Sequence, residues 1–247
     1  KTGRSHDMMF YNKNHHRKAE IMKRTPLAER TLPDYTRGEE IFNMVSHTVG
    51  GAFAFFVILA CAIVAAGRGN TWGIVTGVVY GFSMLALYTM SSIYHGLNPQ
   101  RTETAKKVMQ IIDHCTIYLL IAGSYTPILL VSIRNSDPFL AWLMFGVIWA
   151  IAALGIALTA IDLRKFRVFS MVCYIGLGWL IVAALPRILH ILPAGALWLL
   201  LAGGLSYTLG AVFYGVGSKK KYMHCAFHIF VLLGSILHFI CIINYVM

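Results

Sequence analysis

Two histidines stand four residues apart in "KYMHCAFHIF", residues 221–230, at the head of a run that is almost wholly apolar as far as Met247. A spacing of four puts His224 and His228 on one face of a helix, one turn apart. Such a pair suits two ligands of a single tetrahedral metal ion. A third imidazole, His95, ends an earlier apolar run, and Asp113, the only acid within any such run, lies near the start of the next. Three histidines with a fourth position left to water form the donor set of a catalytic zinc. A carboxylate inside an apolar segment is costly without a partner. Asp113 would find one in that water, either orienting it or taking its proton as a general base. Ser91, in "SSIYH", precedes His95 by four residues and aims a hydroxyl from the same helix face at the water or at a substrate carbonyl.

Each signal has an ordinary reading. A histidine at a helix end near lipid headgroups is commonly structural, and serine in apolar helices commonly bonds back to its own backbone. These residues make a site only if they share a position, and position depends on the elements that carry them.

Those elements are membrane spans. The chain has 247 residues, 57% hydrophobic and only 13% charged, with a mean hydropathy of +0.66. Soluble domains carry about 25% charged residues. A bilayer core takes roughly 20 apolar residues per helix, and seven runs qualify: 41–66, 71–94, 108–132, 138–161, 168–186, 194–216 and 222–247. Backbone in lipid must be bonded within the segment, so the expected fold class is an all-α bundle of seven transmembrane helices. Residues 1–40 read as a basic cytosolic tail and 41–247 as the membrane domain. No strong internal repeat suggests an inverted-repeat transporter.

Charge sets the expected direction. The tail and the second, fourth and sixth loops hold 18 Lys and Arg, and the other loops hold three: Arg68, Arg134 and Arg187. The positive-inside rule then places the N-terminus in the cytosol and the C-terminus outside. The net charge of +11 is explained by loops facing anionic headgroups, with no aromatic and basic interleaving of the nucleic-acid kind. No nucleic-acid partner is expected; membrane lipids are. The five cysteines are scattered through apolar runs and read as free thiols. No charged start followed by a short apolar core suggests a cleavable secretory signal. The chain reads as a multi-pass protein of the cell membrane.

In this topology His95, Asp113, His224 and His228 come from three spans at one depth, in the cytosolic leaflet. At about 1.5 Å per residue their depths agree within roughly 10 Å. Glu40, Asn43 and His47 share a face at the same depth and read equally as support for the site or as a hydrated helix start. His238, about 15 Å beyond His228 along its helix, reads as a packing or interfacial residue. His190 reads as an outer-loop residue, and His6, His15 and His16 as solvated. His114 adjoins Asp113 but points about 100° away around the helix. Pro127 should kink its helix.

The stretches "EEIFNMVSHTVGG", "SSIYH", "DHCTIYLLIAGSYTP", "GGLSYTLGAVFY" and "HCAFH" together resemble the hemolysin III family, the bacterial branch of the progestin and adipoQ receptor superfamily. The resemblance implies a seven-helix bundle with a cytosolic N-terminus and a zinc near the cytosolic leaflet. It implies His95, His224 and His228 as the metal ligands, Asp113 against the zinc-bound water, and Ser91 as the matching serine. Members of the superfamily are linked to ceramide amide hydrolysis, and bacterial members to membrane-fluidity homeostasis.

Three functions follow as expectations. The first is an intramembrane zinc hydrolase of a lipid amide or ester, with its lipid substrate held inside the bundle. The second is a non-catalytic fluidity sensor or receptor with a structural zinc. The third, a cytolysin, ranks last because short loops and one buried acid give no polar conduit.

Overall fold

Each long apolar run closes its backbone hydrogen bonds within itself and is helical, as hydrocarbon surroundings require. The computed structural model describes residues 24–217 and 220–247. Its main helices are α1 (Arg37–Gly67), α2 (Thr71–Gly96), α3 (Pro99–Pro127), α4 (Pro138–Asp162), α5 (Arg167–Gly178), α6 (Ala194–Gly217) and α7 (Met223–Tyr245). A π turn (Ile128–Ser132) and a 3-10 turn (Ile133–Asn135) continue α3; a 3-10 segment (Leu180–Ala184) and a short helix (Leu185–Ile191) continue α5. With these continuations, seven segments among the described residues are long and apolar enough to cross a membrane. There is no strand among the described residues. His6, His15 and His16 lie outside the described residues.

Capping chemistry moves two starts away from the apolar boundaries. Thr36 Oγ1 accepts from the Glu39 N–H at 3.3 Å, while Glu39 Oε2 accepts from the Thr36 N–H at 2.9 Å. This reciprocal box starts α1 at Arg37. The polar stretch after His95, expected as a loop up to residue 107, is mostly helix. Asn98 Oδ1 accepts from the Gln100 N–H at 2.9 Å, and Pro99 fills the first helical position, where a missing N–H costs nothing. A kink at Thr102 (φ −136°, ψ 39°) separates that first turn from the rest of α3. The consequence is that Lys106 and Lys107 become helical residues, both buried. His190 likewise stands in the last turn of the short helix, not in a loop. At the other end of α3, Pro127 is followed by the π turn.

The helices pack in sequence order, and α7 returns against α1. The most apolar stretch of the third span is 78% buried within the bundle, against at most 50% for any other span. α3 is therefore the central helix, with neighbours on nearly every side. The α5 segment is the least buried, at 17%, and a large cavity lies against it. Close approach of α1 to α2 depends on Gly50: a Cβ there would stand 2.6 Å from Tyr88 Cδ1. Gly50→Val is expected to destabilise the bundle by about 1–3 kcal/mol through overpacking. Thermal unfolding in detergent checks this; an unchanged midpoint would show that Tyr88 yields freely. All five cysteines are free.

Candidate metal centre

The last turn of α2 and the first two turns of α7 meet at one end of the bundle, beside the start of α1. There His95, His224 and His228, all buried, place one nitrogen each within 4.8 Å of one another. His224 Nε2 and His228 Nε2 are 3.1 Å apart. Two nitrogens bound tetrahedrally at about 2.05 Å would stand roughly 3.3 Å apart, so this spacing fits one shared ion. The rings of His95 lie 5.3 Å from His224 and 4.9 Å from His228, centroid to centroid.

The tautomer of His95 is set from outside the group. Its Nδ1 lies 2.6 Å from Glu40 Oε2, which only accepts, so Nδ1 carries the proton. Nε2 is then bare, and it is buried with no hydrogen-bond partner. A buried bare nitrogen turned toward two others fits a metal donor. Glu40 is held in turn by Lys106 Nζ at 2.7 Å, and Lys106 also donates to the Leu97 carbonyl at 3.0 Å. A carboxylate behind a metal-binding imidazole orients the ring and raises its basicity. Glu40→Gln is expected to weaken metal binding by about 10–100-fold. A competitive chelator titration reads this; wild-type affinity in the variant would show that the hydrogen bond does not orient His95.

Of the other α1 residues, Asn43 and His47 are buried, so the hydrated helix start is corrected at these positions. The cause is α7, which packs over this face of α1: His47 stacks on His228 with centroids 3.7 Å apart. Glu39 ties the same helices, since its Oε1 accepts from the Tyr222 N–H at 2.6 Å. Tyr222 has φ +62°, a conformation that costs a non-glycine residue about 1 kcal/mol or more. Glu39 thus fixes the turn from which α7 and its two histidines start.

Ser91 and Asp113 line one small cavity together with His47, His114, Tyr214 and His224. Its volume, about 20 Å³, is that of a single water, which needs roughly 10–15 Å³. The structure brings all five sequence-assigned residues to one place: three histidines form the donor group, and Ser91 and Asp113 share a cavity with one of them. Beyond that cavity lies a much larger one of about 580 Å³, bounded by α3, α5, α6 and α7 and lined almost wholly by apolar side chains. The two share Leu87, His114, Ile117, Tyr214, Phe227 and Val231.

His114 does not point away from this region. Its Nε2 is 3.0 Å from the Tyr214 hydroxyl, and its ring lines both cavities. A rotation of 100° leaves the interior only on a helix with one buried face, and α3 is buried nearly all round. His238 packs against Gly203, lies 3.4 Å from the Leu200 carbonyl, and reaches only the large cavity.

Sequence reasoning missed Tyr35 and Tyr214. Tyr35 precedes α1 and stacks on His224, with centroids 4.9 Å apart and planes at 17°. Burial pushes its phenol above the ordinary tyrosine range, so it covers the donor group as a neutral ring. The segment before it crosses the same end of the bundle: the Thr25 N–H donates to Asp162 Oδ2 at 2.7 Å, and Lys107 Nζ donates to the Ala28 carbonyl at 3.3 Å.

A bundle of seven membrane-capable helices with a buried three-histidine group that can hold a metal ion defines the class of this protein. The family model described as "Haemolysin-III related" matches residues 35–239, and the chain belongs to that family. It is 37% identical over 209 residues to "Hemolysin-3" of Bacillus cereus, covering 85% of this chain and 92% of that protein. It is 34% identical over 211 residues to "Hemolysin-3 homolog" of Bacillus subtilis (strain 168), covering 85% and 96%. "Monocyte to macrophage differentiation factor" of Homo sapiens is 28% identical over 181 residues, covering 71% and 72%. Family and spans together make this a multi-pass protein of the cell membrane.

Proposed function

We propose that the chain is an intramembrane zinc hydrolase of a lipid amide or ester, with its site in the cytosolic leaflet and its N-terminus in the cytosol. The observation that carries this reading is the pairing of cavities. A water-sized space bounded by Ser91, Asp113 and His224 shares six wall residues with a 580 Å³ apolar cavity that suits an acyl chain. A structural metal alone needs neither space. Three imidazoles without a thiolate suit zinc, and a fourth position is left for chemistry.

When bound, zinc supplies a Lewis acid that polarises the scissile carbonyl and lowers the pKa of water to near 7. His95, His224 and His228 hold it, and Glu40 fixes the His95 ring through Nδ1. Asp113 accepts the proton of the attacking water, and the Ser91 hydroxyl orients that water or the carbonyl oxygen. The proton passes to the departing amine or alcohol as the carbonyl carbon's bond to it breaks; acid and amine, or acid and alcohol, are the products. Tyr35 and the apolar walls keep bulk water from the carbonyl. Acyl substrates reach the cavity from the bilayer.

Incubating the detergent-purified, zinc-loaded protein with a broad membrane-lipid extract tests this, with mass spectrometry following loss of lipid amides and esters and gain of free fatty acid. Chelator-sensitive turnover supports the reading. An extract unchanged at high enzyme concentration contradicts it. The sensor reading has one observation of its own: among the described residues the donor group joins α2 and α7, which is where a structural staple would sit. The cytolysin reading has none, because the large cavity is apolar and offers no path for ions.

A further inference from the structure

A neutral imidazole has one N–H and one bare nitrogen, so a hydrogen bond at one nitrogen fixes the role of the other. His114 Nδ1 lies 2.8 Å from the Gln110 carbonyl, which can only accept. Nδ1 therefore carries the proton, and Nε2 accepts from the Tyr214 hydroxyl at 3.0 Å. Tyr174 holds the same residue from behind, its hydroxyl donating to the His114 carbonyl at 2.8 Å. Tyr214 has one proton, and it is committed to His114. Its oxygen keeps lone pairs for a donor.

The place of that oxygen gives it a use. Tyr214 lines both the water-sized cavity and the apolar one. Its ring lies 5.8 Å from the ring of His224 and 5.4 Å from that of Phe227. A lipid whose chain fills the large cavity and whose carbonyl faces the metal centre brings its scissile linkage past this residue. A secondary amide presents an N–H there. An ester presents an oxygen, which sets acceptor against acceptor.

We propose that Tyr214, oriented by His114, accepts a hydrogen bond from the N–H of a lipid amide and so makes the site selective for secondary amides over esters. This rests on the proposed reading of the two cavities as a lipid site. A pocket built to hydrogen-bond a group rejects the analogue lacking it, because its own polar atom is then left unpaired. The discrimination expected from one such bond is about 10–100-fold.

The test measures dissociation constants on the zinc-loaded full chain for three probes: an N-alkyl palmitamide, its N-methylated tertiary amide and the matching palmitate ester. Wild type is expected to bind the secondary amide at least about tenfold more tightly than the other two. Tyr214→Phe is expected to bind all three within about twofold. His114→Phe frees the tyrosine proton to donate, so ester binding is expected to rise relative to wild type, an effect that a merely structural pair would not produce. Equal binding of the three probes by wild type, selectivity retained in Tyr214→Phe, or binding of none of them would each overturn the proposal. Selective binding without turnover would defeat the hydrolase reading alone; turnover without selectivity would defeat this one alone.

Discussion

Asp113→Asn is expected to keep its metal and to lose lipid turnover by about 10²- to 10⁴-fold, the usual contribution of a positioned general base. The side chains have nearly the same shape, and Asp113 is not among the three residues whose nitrogens converge. Metal content should therefore be that of wild type. What disappears is the one carboxylate among the described residues that line the water-sized cavity; of the two imidazoles outside the donor group that also line it, His114 has both nitrogens engaged, to the Gln110 carbonyl and the Tyr214 hydroxyl, and His47 is stacked on His228. The neighbouring Ser91 hydroxyl is far too weak a base to substitute. Turnover and metal content must be measured on one preparation. If the variant keeps its metal and its lipid turnover, Asp113 is not the base. If turnover is absent from wild type and variant alike while both bind zinc, the centre is a staple between α2 and α7, and the sensor reading takes its place.

His228→Ala is expected to lower zinc affinity by about two to three orders of magnitude. Structural zinc sites contribute roughly 10–16 kcal/mol over four ligands, or about 2.5–4 kcal/mol each, at about 1.4 kcal/mol per tenfold. His228 is 1% exposed, and its ring stacks on His47, so the variant also leaves a void in the wall between α1 and α7. Added zinc should raise the unfolding temperature of wild type and leave that of the variant almost unmoved, because a ligand stabilises only the state that binds it. An equal zinc-dependent shift in both proteins would place the metal elsewhere.

The donor group was legible in the sequence because two periodicities overlap in it. The spacing of His224 and His228 is that of one helical turn, and the apolar runs fix how deep each histidine lies. Spans were legible for the same reason: hydrocarbon permits little but helix. The spacing puts Glu40 on the right face of α1, but its partner Lys106 falls in a polar stretch that reads as loop. The cap formed by Asn98 and Pro99 turns that polar stretch into helix and carries Lys106 inside. Helical spacing alone turns His114 away from Asp113, but α3 is buried nearly all round, so both face the interior. Tyr35 left no periodic signal at all; it sits in the non-helical approach to α1, where only the folded chain decides what an aromatic ring covers. Nothing in the sequence separates Tyr214 from the other aromatics of α6; its partner, His114, stands on α3, 100 residues away.

X-ray absorption at the zinc edge, on protein purified without a histidine tag, would settle whether His95, His224 and His228 hold one metal ion. About one zinc per chain is expected, with three imidazole nitrogens and one further light atom at about 2.0–2.1 Å. Absence of zinc even after incubation with the metal, or a sulfur neighbour near 2.3 Å that would bring in Cys225, would contradict this.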